Sequence, residues 1–85
     1  MDVGALAAAA QAYRAALEVR TRDTDPQGWA QTQNNLGNVL RVLGERGDGN
    51  TLAAAVQAHR AALEVLTRDR DPQSWAMTQM NLGNA

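Results

Sequence analysis

"WAQTQNNLGN" occupies residues 29–38 and "WAMTQMNLGN" occupies residues 75–84. The two strings differ only at Gln31/Met77 and Asn34/Met80. An offset of 46 residues lays Leu6–Val39 on Leu52–Ala85, and 26 of those 34 positions are identical. Self-similarity at a period between about 20 and 50 residues is the signature of a stacked repeat array. The other differences are Ala10/Val56, Tyr13/His59, Arg20/Leu66, Thr24/Arg70, Gly28/Ser74 and Val39/Ala85.

Each unit reads as two helices. In "LAAAVQAHRAALEVLTR", Leu52, Val56, His59, Leu63 and Leu66 recur at spacings of three and four, forming one apolar stripe. Leu6, Ala10, Tyr13 and Leu17 repeat it. The other helix starts at "DP", with Asp25 and Asp71 as N-caps and Pro26 and Pro72 in the first turn. It runs through Trp29, Leu36, Leu40 and Leu43, is ended by Gly44 and Gly47, and is followed by a turn at Asp48–Asn50. The expectation is four helices, at 3–22, 26–45, 51–69 and 72–85, antiparallel where loops are short. Ala30, Gly37 and Gly44 lie seven apart, matched by Ala76 and Gly83. A glycine inside a helix costs about 1 kcal/mol against alanine, so a strip of them calls for close helix packing.

The remaining composition agrees with an all-α domain. Alanine is abundant, and phenylalanine and isoleucine are absent. At 85 residues the chain reads as a single domain over 1–85, near the size where one core is marginal, and expected to be part of a longer array. Cysteine is absent, and net charge is −1 with every cation an arginine and no basic run. That distribution argues against nucleic acid as a partner. No apolar run reaches the ~20 residues of a membrane span, and no signal peptide opens the sequence. The expected location is the cytoplasm, with no membrane partner.

At these positions the chain resembles the tetratricopeptide repeat, a helix–turn–helix unit that stacks into a superhelix. Leu36-Gly37 and Leu82-Gly83 match the Leu-Gly pair of its first helix. Ala9, Tyr13 and Ala16, and again Ala55, His59 and Ala62, match the second-helix signature, and Pro26 and Pro72 match its proline. The chain departs from the pattern at Gln33 and Gln79, where tryptophan is usual, and at Leu40, where tyrosine is usual. The period of 46 exceeds the common 34. Long units with "NNLG" beside "ALE" are similar to the kinesin light chain kind of repeat, also widespread in bacterial repeat proteins.

On a wheel of about 100° per residue, Trp29, Thr32, Leu36, Val39, Leu40 and Leu43 share one side, read as core. Gln31, Asn34, Asn38, Arg41 and Glu45 fall opposite, as do Met77, Met80 and Asn84 in the second copy. The resemblance implies that this side lines a concave groove holding an extended segment of a partner protein. Gln31, Asn34, Asn38, Arg41, Met77, Met80 and Asn84 would line it, with Asn35 and Asn81 at its edge. Asparagine offers a donor and an acceptor to a peptide backbone, and methionine adapts to apolar side chains. Without lysine, and with Arg41 the one groove cation, a clamp for two carboxylates is not expected.

No enzyme, cofactor or metal is expected. His59, the sole histidine, falls on the apolar stripe and reads as a packed, singly hydrogen-bonded residue. Ser74, the sole serine, is explained by helix-start preference. Asp48-Gly49-Asn50 lacks the closing glutamate of a calcium loop, and "TRDRDP" reads as a solvated helix end with a cap. An alternative role is self-association. Repeat units bury their faces on neighbours, so exposed repeat ends imply a homo-oligomer, by end-to-end stacking or by helix exchange near Gly47–Asn50.

Overall fold

The computed structural model describes residues 3–46 and 49–83. Among the described residues lie four α-helices and no strand: α1 (Val3–Val19), α2 (Pro26–Glu45), α3 (Gly49–Leu63) and α4 (Pro72–Gly83). The chain is all-α.

Two helices are shorter than the sequence reading gives. α1 stops at Val19 instead of residue 22, and α3 stops at Leu63 instead of 69. The same threonine turn is responsible both times. Thr24 N donates to Thr21 Oγ1 at 3.2 Å and Asp25 N to Thr21 O at 2.9 Å. Arg70 N and Asp71 N do the same to Thr67, at 3.2 and 2.9 Å. A threonine hydroxyl that takes a backbone N–H competes with the helix, and a following proline disfavours α geometry in the residue before it. "TRDRDP" is thus a turn, not a helix end. Its aspartate does cap the next helix in the first copy, where Gly28 N donates to Asp25 Oδ1 at 3.0 Å. Beyond α3, Glu64 N and Val65 N bond three residues back, to Ala61 O and Ala62 O. This tighter winding delivers Val65 and Leu66 onto Ala30, Ala62 and Trp29.

At the opposite junction α2 ends at Glu45, as the sequence reading gives, but α3 begins at Gly49 instead of residue 51, so Asn50 is helical instead of part of a turn. Asp48 and Gly47 lie outside the described residues.

α2 is the central element. One side packs on α1 in a cluster of Ala10, Leu36 and Leu40 that Ala55 of α3 completes, flanked by Tyr13, Leu17, Val39 and Leu43. The other side runs antiparallel along α3: Ala30 meets Ala62, Gly37 meets His59 and Gly44 meets Leu52. The strip of small residues is therefore the bed in which α3 lies. A Cβ on Gly37 would sit 2.7 Å from His59 Cε1 and Nε2. One on Gly44 would sit 2.5 Å from Leu52 Cγ and 2.9 Å from its backbone nitrogen. These neighbours are a buried ring and a main chain, which cannot move aside cheaply. Gly83, the counterpart of Gly37 in α4, has nothing within 4 Å of such a Cβ.

The same substitution should then have opposite signs in the two copies. Gly37→Ala gains about 1 kcal/mol of helix propensity but forces a steric conflict of roughly 1–3 kcal/mol, with net loss expected. Gly83→Ala meets no conflict and should raise stability by up to about 1 kcal/mol. Urea denaturation of both variants checks this; equal shifts would mean α3 does not rest on Gly37.

Candidate functional site

The nine residues expected to line one groove do not share one environment. On α2, Gln31 and Asn35 are exposed, Asn38 and Arg41 are half-buried, and Asn34 is buried at 6% exposure. On α4, Met77 and Met80 are exposed and Asn81 is half-buried. Asn84 lies outside the described residues.

Asn34 is thus a correction. It points into the α2–α3 seam, where its Oδ1 is 3.0 Å from His59 Nδ1. The reason is geometric. The small strip is rotated by one residue, about 100°, from the Trp29–Leu36–Leu43 stripe, and α2 is buried on both. Asn34 and Arg41 lie beside the strip and are drawn in with it. Arg41 is only partly available as a groove cation: one guanidinium nitrogen bonds Glu45 Oε1 at 3.0 Å, and its Nε is buried.

The seam has its own electrostatics. His59 is fully buried, and burial first, then the nearby Arg41 guanidinium, hold its pKa below the usual 6.5. The ring is neutral, as expected of a packed histidine. With Asn34 Oδ1 as acceptor, Nδ1 carries the proton and Nε2 is left with a lone pair over Gly37. His59 Nε2, Arg41 Nε and Asn38 Oδ1 are buried with no hydrogen-bond partner.

What remains exposed on α2 and α4 forms a shallower surface. Gln31 Nε2 donates to Ser74 Oγ at 3.3 Å and ties the outer edge of α2 to the first turn of α4. Met77 and Asn81 occupy, on α4, the repeat positions of Gln31 and Asn35.

A second concavity went unnoticed in the sequence. An open cleft of about 250 Å³ lies between α1 and α3, floored by Leu36 and Leu40 of α2. Arg14, Gln33 and Gln57 provide its polar groups, and Ala54, Ala58 and Ala61 its α3 wall. Its signal was Gln33, an amide beside the Leu36–Leu40 stripe where the repeat pattern has an aromatic.

Among the described residues, no group of three or more His, Cys, Asp or Glu is placed to hold a metal ion. No described helix is long and apolar enough to cross a membrane. Comparison of the chain with protein families, with curated proteins and with solved structures returns no match in any of the three.

Two outcomes follow from the seam. Asn34→Ala strands the buried ring nitrogen and should cost about 1–3 kcal/mol, whereas Asn38→Ala removes an unpartnered oxygen and should change stability by less than about 0.5 kcal/mol. Chemical denaturation distinguishes them. The second concerns pH. Because the folded pKa of His59 is depressed, its contribution to stability is complete above 6.5. It is lost as pH falls below that value, where the unfolded ring takes up a proton that the folded ring refuses. The loss stops once the folded ring protonates too. Thermal melts at pH 7.5 and 5.5 should show the lower pH less stable; no difference, or the reverse, would place His59 in solvent or beside an anion.

Proposed function

We propose that this chain is a protein–protein interaction module of the tetratricopeptide kind, holding an extended partner segment across the exposed sides of α2 and α4. The observation that carries the reading is the Gln31–Ser74 bond, which sets two copies of one helix edge to edge. Gln31, Asn35 and Met77 then face solvent, with Asn38 and Asn81 half-buried beside them. The repeat offset and the antiparallel α2–α3 pair support the same reading.

The surface selects its partner by chemistry. Amides can match donors and acceptors of an extended backbone, and Met77 can mould to an apolar side chain. Arg41 is engaged with Glu45, so little charge is on offer and binding should depend only weakly on salt. Asn34 is no longer part of this surface.

Selection from a displayed library of extended peptides, followed by NMR titration at 50 and 300 mM salt, tests the proposal. The expected binder is apolar or mildly acidic, perturbs Gln31, Asn35 and Met77, and binds with similar affinity at both salts. Gln31→Ala with Met77→Ala should weaken it at least fivefold. A strongly basic binder, tight binding of duplex DNA, or perturbation confined to Arg14 and Gln57 of the α1–α3 cleft would refute it.

A further inference from the structure

The cleft between α1 and α3 is graded from a charged end to an apolar one. Arg14 lies five residues before the end of α1, and Gln33 lies seven residues after the start of α2. The two helices join at that end, so with a rise of about 1.5 Å per residue these side chains stand nearly level. At the other end, Leu40 lies five residues before the end of α2 and is level with Ala54, five after the start of α3. Gln33 and Leu40 are thus about 10 Å apart along α2. Arg14 is the one charged residue of the lining, and no carboxylate lines the cleft. Among the described residues neither the Arg14 guanidinium nor the Gln33 amide has a hydrogen-bond or ion-pair partner. The floor is nearly closed, with Leu36 at 6% and Leu40 at 4% exposure. The α3 wall presents only methyl groups at Ala54, Ala58 and Ala61. None of the eight positions at which the two repeat copies differ lines the cleft.

We propose that this cleft binds an unbranched aliphatic monocarboxylate, with its carboxylate at Arg14 and Gln33 and its chain along Leu36 and Leu40 toward Ala54. The charge of the site selects the head group. A guanidinium offers a carboxylate paired N–H donors, and the Gln33 amide adds another. One cation among neutral amides balances one negative charge, not the two of a phosphate monoester. The shape selects the tail. A floor so nearly closed, beside a wall of methyl groups, admits a slim methylene chain and not a branched or aromatic one. The span from Gln33 to Leu40 is one that an extended octanoate covers. At about 250 Å³ the cleft is smaller than the ~300–1,000 Å³ of sites that enclose larger ligands, so it suits a small acid and not a nucleotide. Gln57, exposed at the open mouth, keeps that side wet.

This site is separate from the peptide surface at Gln31, Asn35 and Met77, and neither depends on the other. NMR titration of the full chain with sodium octanoate tests it. Saturable shifts are expected at Arg14, Gln33 and Ala54, with Gln31, Asn35 and Met77 unmoved, and a Kd of about 1 mM is what a ligand of this size attains. Octylamine, which reverses the charge, and 2-propylpentanoate, the branched isomer of octanoate, should each bind at least fivefold more weakly. Arg14→Met keeps the stem and removes the charge; Arg14 is exposed, so circular dichroism should show unchanged helicity, and octanoate should bind at least fivefold more weakly. Ala54→Leu fills the apolar end and should remove the preference for octanoate over butanoate. No saturation below about 10 mM, or shifts centred on α4, would overturn the proposal. So would equal binding of octylamine or of the branched isomer, or unchanged affinity in Arg14→Met.

Discussion

The fold depends on one close approach, the imidazole of His59 lying directly on Gly37. No side chain fits between α2 and α3 at that point, and a methyl group there would overlap the ring. The approach fixes what happens on either side. It brings Ala30 onto Ala62 and Leu66, and Gly44 onto Leu52. It also favours the neutral histidine, because a charged ring buried in the seam would lose its solvation and face the Arg41 guanidinium. Asn34 supplies the hydrogen bond that makes burial of the neutral ring tolerable.

Burial on two sides gives α2 a different character from α4, although their sequences nearly coincide. α2 lies between α1 and α3, whereas α4 packs mainly on α3 and meets α2 through the Gln31–Ser74 bond. Identical or similar residues are therefore core in one copy and surface in the other, as at Ala30 and Ala76. Thr32 and Thr78 are the exception that locates the common side. Both are buried, and each donates its hydroxyl to the carbonyl four residues before, at 2.8 Å. A repeat distributes burial by neighbour, not by sequence alone. That is why the changes at Asn34/Met80 and Tyr13/His59 are informative: they sit where the two copies have different neighbours.

Much of this was legible in the residues. The helix count, the N-cap at Asp25 and the need for close packing along Ala30, Gly37 and Gly44 follow from spacing and from the cost of helical glycine. The packed histidine was also legible, since it occupies a place on an apolar stripe. The candidate surface was less so. A helix wheel finds one apolar side, and α2 has a second buried side made of glycine and alanine, which carry little hydrophobic signal. Asn34 was placed in solvent for that reason, and Arg41 was counted as available. The threonine turns were missed because threonine, arginine and aspartate all tolerate a helix end, and only the side-chain bond from Thr21 and Thr67 decides against it. The cleft between α1 and α3 arises from how far apart two helices stand across a third, which no local pattern encodes.

The contact between His59 and Gly37 is directly observable by NMR. The structure requires a nuclear Overhauser effect between His59 Hε1 and the Gly37 α-protons, together with ring nitrogen shifts of a neutral imidazole protonated at Nδ1. A ring with solvent-like shifts, protonated at Nε2, and no Overhauser effect to Gly37 would contradict the seam on which the rest of this account stands.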